Sequence, residues 1–213
     1  MRRRLWWLPA VLLGAGLAGP SLYAQPTPGG EPPQVGDEPG TAIFAGGCFW
    51  CMEADFEKLA GVKEAISGYA GGELANPSYK QVTGGGTGHA EVVRVHYDPE
   101  VVDYAALVAH FWKNVDPTTP NRQFCDSGSQ YRAALMPLNP EQRRIAEASR
   151  QRVVDSSRFP AVHVSIEEPG HFWRAEEYHQ DYYREHAIRY RFYRSRCGRD
   201  DRLEQLWGEP KED

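Results

Sequence analysis

Two adjacent glycines, Gly46 and Gly47, separate an apolar segment from a helical pattern, and this junction constrains the fold more than any other stretch of the sequence. The apolar run of residues 41–45 predicts a buried strand, and the glycines predict a tight turn after it. Apolar side chains then recur at spacings of three and four, as on one helix face: Phe49, Met52, Phe56 and Leu59. The chain must therefore pass directly from strand to helix, and Cys48 lies where the helix begins.

Further along the chain, strand and helix patterns are mixed without a regular alternation. Residues 90–97 alternate in polarity, which places Glu91 on the same strand face as three apolar residues. Asp103 and the pair Asn139-Pro140 are typical starts of helices. Residues 74–88 and 116–129 are predicted to be loops. The mixture predicts an α+β fold, a ferredoxin-like two-layer α/β sandwich with a long C-terminal irregular segment.

The N-terminus has the pattern of an export signal. Arg2, Arg3 and Arg4 precede a short apolar run, and small residues end at Ala24. We expect residues 1–24 to be a signal peptide, residues 25–40 a disordered linker, residues 41–200 the catalytic domain and residues 201–213 a C-terminal tail. The expected location is the periplasm or the exterior, with no membrane attachment in the mature form. An uncleaved membrane anchor is the alternative.

Charge and composition exclude little beyond nucleic-acid binding. The formal net charge is −5, so no strongly basic surface would attract a nucleic acid. Hydrophobic residues make up 41% of the chain, which is ordinary for a folded domain. We expect a monomer.

The four cysteines allow three interpretations. In an oxidising compartment, Cys48, Cys51, Cys125 and Cys197 could form two structural disulfides. Cys48 and Cys51 lie three apart at a helix start, however, and such pairs are usually redox-active or bind a metal. A zinc site built from all four cysteines is disfavoured because no second C-x-x-C follows, and we expect no metal. A C-x-x-C thiol–disulfide oxidoreductase stays open as the alternative function.

The position of Cys48 predicts a nucleophile. Free amide groups and the positive dipole at a helix N-terminus stabilise a thiolate, so the pKa of Cys48 should fall below about 8.5. Phe49 and Trp50 could form an apolar cage for a methyl group, or simply pack in the core. Glu91, in apolar surroundings, should hold a proton at neutral pH and could donate it; otherwise it is a surface charge at a strand end.

Several separated motifs, in order, resemble the A-type peptide methionine sulfoxide reductases. They are residues 47–50 (GCFW), 68–72 (GYAGG), 76–79 (NPSY), 88–91 (GHAE), 126–132 (DSGSQYR) and 175–180 (AEEYHQ), with the tail around Cys197-Gly198. The match covers most of the chain after residue 41. The resemblance implies reduction of methionine S-sulfoxide in oxidised proteins, and of the free amino acid in some cases, without a cofactor.

The resemblance also implies a role for each matching residue. Cys48 would attack the sulfoxide sulfur, and Phe49 and Trp50 would hold the methyl group. Tyr79, Glu91 and Tyr131 would hydrogen-bond the sulfoxide oxygen, with Glu91 as the proton donor. Asp126 and His89 would support substrate binding.

Sulfur chemistry sets the order of events after the attack. Oxygen transfer leaves a sulfenic acid on Cys48, which a second thiol converts to a disulfide. We favour Cys197 as this resolving thiol, with Cys51 as the alternative. Cys125 is either a bystander, which we favour, or a second recycling thiol. The disulfide then needs an external dithiol, a thioredoxin-like protein.

Overall fold

The computed structural model describes residues 39–208. The predicted signal peptide, nearly all of the predicted linker and the last five residues of the predicted tail lie outside this range. None of the helices within it is long and apolar enough to cross a membrane.

Six strands form a mixed sheet in the order β7-β6-β1-β3-β2-β8. The central strand β1 is antiparallel to β3 and β6, and only the β6–β7 pair is parallel. The strands are β1 (Thr41–Gly46), β2 (Val62–Ala70), β3 (Ala90–Tyr97), β6 (Ala133–Met136), β7 (Ser165–Ile166) and β8 (Trp173–Arg174), and a separate hairpin contains β4 (Arg122–Gln123) and β5 (Asp126–Ser127).

Seven helices accompany these strands in residues 39–208. They are α1 (Phe49–Phe56), α2 (Tyr79–Thr83), α3 (Tyr104–Lys113), α4 (Pro140–Asp155), α5 (Tyr182–Glu185), α6 (Ala187–Arg196) and α7 (Arg199–Trp207). Two begin at the predicted caps: Asp103 accepts the amide of Ala106 at 2.7 Å, and Asn139 accepts that of Gln142 at 2.9 Å. Each cap satisfies an amide that has no partner inside the helix.

The main core lies between one face of the sheet and helices α1, α3 and α4. In β1, Ala42 and Phe44 point into this layer, whereas Ile43 and Ala45 belong to a second cluster on the opposite face. Phe172, from the segment after β7, helps to cover that opposite face. The predicted α+β sandwich is confirmed, and β1 is buried along its whole length.

The C-terminal segment is more regular than predicted. It is irregular from Ser156 to Asp181 apart from the two-residue strands and a single turn of 3-10 helix, but it then forms α5, α6 and α7. Helix α7 crosses the boundary that the sequence placed at residue 200. Leu203 and Leu206 on this helix are buried, so the packed domain extends to Trp207 instead of ending in a tail at residue 201.

The two predicted loops also contain short elements. Residues 79–83 form α2, which begins with a capping box between Ser78 and Gln81. Residues 122–127 form the β4–β5 hairpin. The glycines around α2 and the shortness of both elements obscure any periodicity in the sequence.

Candidate active site

Cys48 lies between β1 and α1, where the glycine turn brings it to the helix N-terminus. Gly47 has a φ of 83°, and a side chain there would meet Cβ of Gln123 at 2.5 Å. A larger residue would therefore be strained and would also collide. Cys48 is the N-cap of α1 and is only 7% exposed. The sequence places the sulfur correctly at the start of the helix, and the fold buries it.

A small cavity of about 60 Å³ lies over this sulfur. Its walls come from α1, α2, β3, the β4–β5 hairpin, the turn after it and α6. The lining residues are Cys48, Phe49, Trp50, Tyr79, Glu91, Asp126, Tyr131 and Tyr193. Seven of the nine predicted site residues therefore meet around one space, and Cys197 and His89 do not line it. A larger groove along the glycine loops of residues 71–88 contains none of the predicted cysteines or site residues.

Glu91 is a buried acid aimed at the cavity. It is 2% exposed and lies on the face of β3 that packs against α1. Its carboxylate accepts the amide N–H of Phe49 at 3.0 Å. Burial raises the pKa of Glu91 to about 8; the Phe49 hydrogen bond opposes the rise and the charge of Asp126 adds to it. Glu91 therefore holds a proton at neutral pH and can donate it.

The predicted low pKa of Cys48 is wrong for the resting site. Burial raises the pKa of this thiol well above its ordinary value, and its hydrogen bond with Cys51 and the nearby acids Glu91 and Asp126 act in the same direction. The helix N-terminus compensates little because the first amide, that of Phe49, is already bonded to Glu91. The desolvation of the sulfur outweighs the dipole that the sequence argument invoked.

Cys51 is the more acidic thiol of the pair. The hydrogen bond from Cys48 lowers the pKa of Cys51 to about 7 against the opposing effect of burial, and the guanidinium groups of Arg199 and Arg194 lower it further. Both arginines come from the C-terminal helices, and Arg194 forms an ion pair of 2.9 Å with Asp55 of α1. The C-terminal segment thus supplies positive charge to the sulfur pair.

The aromatic wall is held by contacts outside the cavity. Trp50 stacks on Tyr182 with ring centroids 3.8 Å apart, and its indole N–H donates to Nδ1 of His179 at 3.0 Å. Burial lowers the pKa of His179 to about 4, so the ring stays neutral and can accept. Phe49 lines the cavity and also packs in the main core, and its contact with a methyl group stays a prediction.

Tyr193 is the cavity residue that the sequence argument missed. Its hydroxyl donates to Asp126, which is 67 residues away in the chain. Burial raises the pKa of Asp126 despite this bond. The only signal for Tyr193 was its place in an aromatic, arginine-rich segment, and that pattern does not specify which ring faces the site.

His89 supports a loop and does not contact the cavity. Its Nδ1 accepts the amide of Gly72 at 3.2 Å, and its Nε2 donates to the carbonyl of Leu74 at 2.8 Å. The predicted substrate contact of His89 is therefore not seen. The ring instead fixes the chain ahead of β3, which carries Glu91.

Cys125 and Cys197 form a disulfide with Cα atoms 5.0 Å apart, whereas Cys48 and Cys51 are free thiols. This pairing does not show whether Cys125 takes part in recycling, so its bystander role stays a prediction. Cys197 is not a free thiol in this state, so its resolving role stays a prediction. Cys125, Asp126 and Cys197 bring three possible metal-ligand atoms within 4.8 Å of one another, but the two sulfurs are bonded to each other.

Comparisons with known proteins agree with this site. A family model described as peptide methionine sulfoxide reductase matches residues 40–211. The peptide methionine sulfoxide reductase MsrA 2 of Caulobacter vibrioides is 43% identical over 98% of this chain and 100% of its own. The MsrA 2 protein of Rhizobium meliloti is 48% identical over 81% of this chain and 85% of its own.

Solved structures are similar as well. Mxr1 of Saccharomyces cerevisiae in its reduced form matches with a TM-score of 0.61 and 33% identity, covering 69% of this chain and 85% of its own. Methionine sulfoxide reductase A of Corynebacterium diphtheriae matches with a TM-score of 0.61 and 30% identity, over 71% and 77%. These matches confirm the resemblance noted in the sequence. The chain belongs to the peptide methionine sulfoxide reductase family, whose members reduce methionine S-sulfoxide to methionine.

Proposed function

We propose that this reductase uses Cys48 as its nucleophile and Glu91 as its proton donor. The observation that carries the proposal is the cavity itself. It joins one cysteine sulfur, two carboxylic acids, of which Glu91 is buried, and three phenols around a space of about 60 Å³. A methyl sulfoxide group is small, apolar on one side and a hydrogen-bond acceptor on the other, and these walls match both sides.

The substrate group binds with its methyl carbon against Phe49 and Trp50 and with its oxygen toward Tyr79, Tyr131 and Glu91. Burial raises the pKa of both tyrosines, so their hydroxyls keep their protons and donate. Three donors aimed at one oxygen stabilise the charge that develops there during the attack.

The reaction transfers one oxygen atom between two sulfurs. The Cys48 sulfur attacks the sulfoxide sulfur while Glu91 protonates the oxygen, and the thiol proton leaves along the hydrogen bond toward Cys51. The oxygen passes to Cys48, so the substrate sulfur gains two electrons and the Cys48 sulfur loses two. The products are methionine and a Cys48 sulfenic acid.

A second thiol then condenses with the sulfenic acid and releases water, and an external dithiol reduces the resulting disulfide. We propose a thioredoxin-like protein as this reductant. The sequence favours Cys197 as the second thiol, and the hydrogen bond between Cys48 and Cys51 favours Cys51.

The decisive experiment mixes the fully reduced protein with N-acetylmethionine sulfoxide in separate S and R epimers, with dithiothreitol as reductant. We expect methionine from the S epimer, and a sulfenic acid on Cys48 when the reaction is quenched early with dimedone. Methionine formation that persists in a Cys48→Ser variant would contradict the assignment.

The hydrogen-bonded pair Cys48–Cys51, with the pKa of Cys51 lowered to about 7, also supports a second function, general thiol–disulfide exchange. Incubation with a disulfide-bonded protein separates the two functions. An exchanger reduces that protein at least as fast as it reduces the sulfoxide, whereas the reductase leaves the disulfides intact.

We further propose that the enzyme works in the periplasm or outside the cell, after export. The basic residues Arg2–Arg4 and the apolar run after them support this. N-terminal sequencing of the protein purified from cell fractions tests it. A mature chain beginning at Gln25 in the periplasm or the medium is expected; an intact N-terminus in the cytoplasm would overturn the proposal.

A further inference from the structure

Helix α6 carries positive charge on a chain that is negative as a whole. The formal net charge of the chain is −5, yet α6 contains four arginines and no acidic residue. One of them, Arg194, is paired with two aspartates. The other three are exposed, and none of them forms an ion pair within residues 39–208: Arg189, Arg191 and Arg196.

Two apolar side chains stand among these arginines. Ile188 is 82% exposed and Phe192 is 68% exposed, the two highest values for large apolar side chains in residues 39–208. They are four residues apart on one helix, so they are neighbours on its surface. An adjacent apolar pair bordered by unpaired cations is typical of an interaction surface. We call these five residues the outer face of α6: Ile188, Arg189, Arg191, Phe192 and Arg196.

The opposite side of α6 is fixed to the active site. Tyr190 packs in the apolar cluster that contains Cys48. Tyr193 lines the cavity, and its hydroxyl donates to Asp126. Arg194 joins the helix to α1 through an ion pair of 2.9 Å. The helix is therefore held in place by its inner side, while its outer face is open to solvent.

The outer face borders the mouth of the cavity. Arg189 precedes Tyr193 by four residues and Arg196 follows it by three, and residues at these spacings share one side of a helix. Both arginines are exposed, whereas Tyr193 is half-buried over the cavity. The cavity holds about 60 Å³, so the polypeptide that bears an oxidised methionine stays outside it and passes beside these two cations.

We propose that the outer face of α6 binds the substrate polypeptide next to its oxidised methionine and selects segments that combine acidic and apolar residues. The proposal rests on the reductase function proposed above and names the class of protein that the site prefers. Carboxylates of the segment pair with the exposed arginines, because a guanidinium group binds a carboxylate through two parallel hydrogen bonds. An apolar residue of the same segment packs on Ile188 and Phe192 and removes both from water.

The observations favour a polypeptide over a membrane surface. Anionic lipids would also attract arginines, but a helix that lies on a membrane buries a continuous apolar side. Among its ten residues, α6 exposes only two large apolar side chains. A bilayer lying on this face would also cover the cavity mouth beside it, whereas a bound polypeptide would deliver its side chain there.

The test measures kcat/KM of the full chain for three peptides, with dithiothreitol as reductant so that no partner protein takes part. The methionine S-sulfoxide of each peptide is flanked on both sides by two glutamates, two serines or two lysines. Each value is divided by that for N-acetylmethionine S-sulfoxide with the same protein. We expect the glutamate peptide to exceed the lysine peptide by about tenfold at low salt. The ratio should shrink at about 0.5 M NaCl, because salt screens exposed charges.

Charge-reversal variants locate the preference on α6. Arg189→Glu should bring the glutamate-to-lysine ratio close to one, and the double variant Arg189→Glu/Arg196→Glu should reverse it. Arg152→Glu is the matched control for the single change, because Arg152 is also exposed but lies on α4, and it should keep the wild-type ratio. Equal values for the three peptides with the wild type, or a preference that the double variant keeps, would overturn the proposal.

A fourth peptide, with leucine in place of one glutamate, tests the apolar half of the outer face. Phe192→Ser should lower the relative kcat/KM for this peptide by about threefold to tenfold, because it removes the apolar area that the leucine covers. Val101→Ser is the matched control, since Val101 is 64% exposed and lies outside α6. Equal values for the two variants would contradict the apolar contact.

Two further outcomes have separate meanings. If the wild type does not reduce N-acetylmethionine S-sulfoxide, the proposed reductase function fails. If it does, but the peptides show no charge preference and Arg189→Glu instead abolishes sedimentation with phosphatidylglycerol vesicles, the outer face binds a membrane and its proposed role in substrate binding is overturned.

Discussion

The inner cysteine pair, Cys48 and Cys51, and the outer pair, Cys125 and Cys197, show two ways in which a chain brings sulfur atoms together. Cys48 and Cys51 meet because one helical turn separates them, and a glycine turn aims them at a buried acid. Cys125 and Cys197 are 72 residues apart and meet only after a hairpin and the C-terminal helices have packed. The inner pair is therefore encoded locally and is chemically specialised, whereas the outer pair depends on the complete fold and stabilises it.

The largest expected effect follows from removing the sulfur of Cys48. Cys48→Ser should lower methionine formation by more than about 1,000-fold, because a serine hydroxyl is a poor nucleophile without an activating base. Methionine released from the S-sulfoxide is measured by chromatography, and a melting curve confirms that the variant is folded. A loss of activity below tenfold would show that the inner pair does not carry the reaction.

The outer pair should affect the stability of the fold. Cys125→Ser should reduce the free energy of unfolding by about 4 kcal/mol, because the disulfide closes a long loop in the unfolded chain. Denaturant unfolding of the oxidised proteins measures this, with Ser127→Ala as the control. Wild type treated with dithiothreitol should unfold like the variant. Identical midpoints for oxidised wild type and Cys125→Ser would contradict a stabilising role.

Glu91→Gln should lower kcat by about 100-fold, the contribution expected of a positioned proton donor. The amide oxygen of glutamine can still accept the Phe49 N–H, so the change removes the proton and leaves the support of α1 in place. Glu53→Gln is a matched control, because Glu53 is also a buried acid but does not line the cavity. Equal losses in both variants would mean that Glu91 acts only through packing.

The raised pKa of Glu91 also predicts that the stability of the protein depends on pH. Glu91 has a pKa of about 8 in the folded protein and about 4.3 when unfolded, so the folded state binds the extra proton between these values. Wild-type stability should therefore fall as the pH rises from about 4.5 to about 8, by up to ~1.4 kcal/mol per unit. Glu91→Gln removes this slope. Melting temperatures measured from pH 5 to 9 should show an advantage for the variant that grows up to pH 8; a constant difference would contradict the raised pKa.

The smallest expected effect concerns Tyr193, which links the cavity to the outer pair. Tyr193→Phe should reduce kcat/KM by about threefold to tenfold, the usual effect of losing one hydrogen bond. Tyr183→Phe removes a comparable bond, 2.7 Å from hydroxyl to Glu57, outside the cavity. Steady-state kinetics should separate the two variants. Equal kinetics would show that the Asp126–Tyr193 bond does not serve the reaction.

Local patterns predicted the elements that carry the site. The glycine turn, the helix after it and the alternation along β3 placed Cys48 and Glu91 correctly because each depends on a few neighbouring residues. The resemblance to the family added Tyr79, Tyr131 and Asp126, which no periodicity could have joined to Cys48.

The features that escaped the sequence depend on distant contacts. The pKa of Cys48 depends on a carboxyl 43 residues away and on the rings that cover the sulfur. Tyr193 and the partner of Cys197 depend on how α6 is positioned, which Arg194 and Asp55 determine across 139 residues. Charged side chains scattered in an arginine-rich segment give no sign of which one is buried.

The small volume above Cys48 limits what the enzyme can recognise in a damaged protein. A space of about 60 Å³ admits the tip of one side chain and leaves the polypeptide that bears it outside. An oxidised methionine must therefore extend its side chain fully into this space to reach Cys48. Oxidised methionines in flexible or partly unfolded segments would be reduced first. Those buried in a compact core would be reduced only after the protein that contains them partly unfolds.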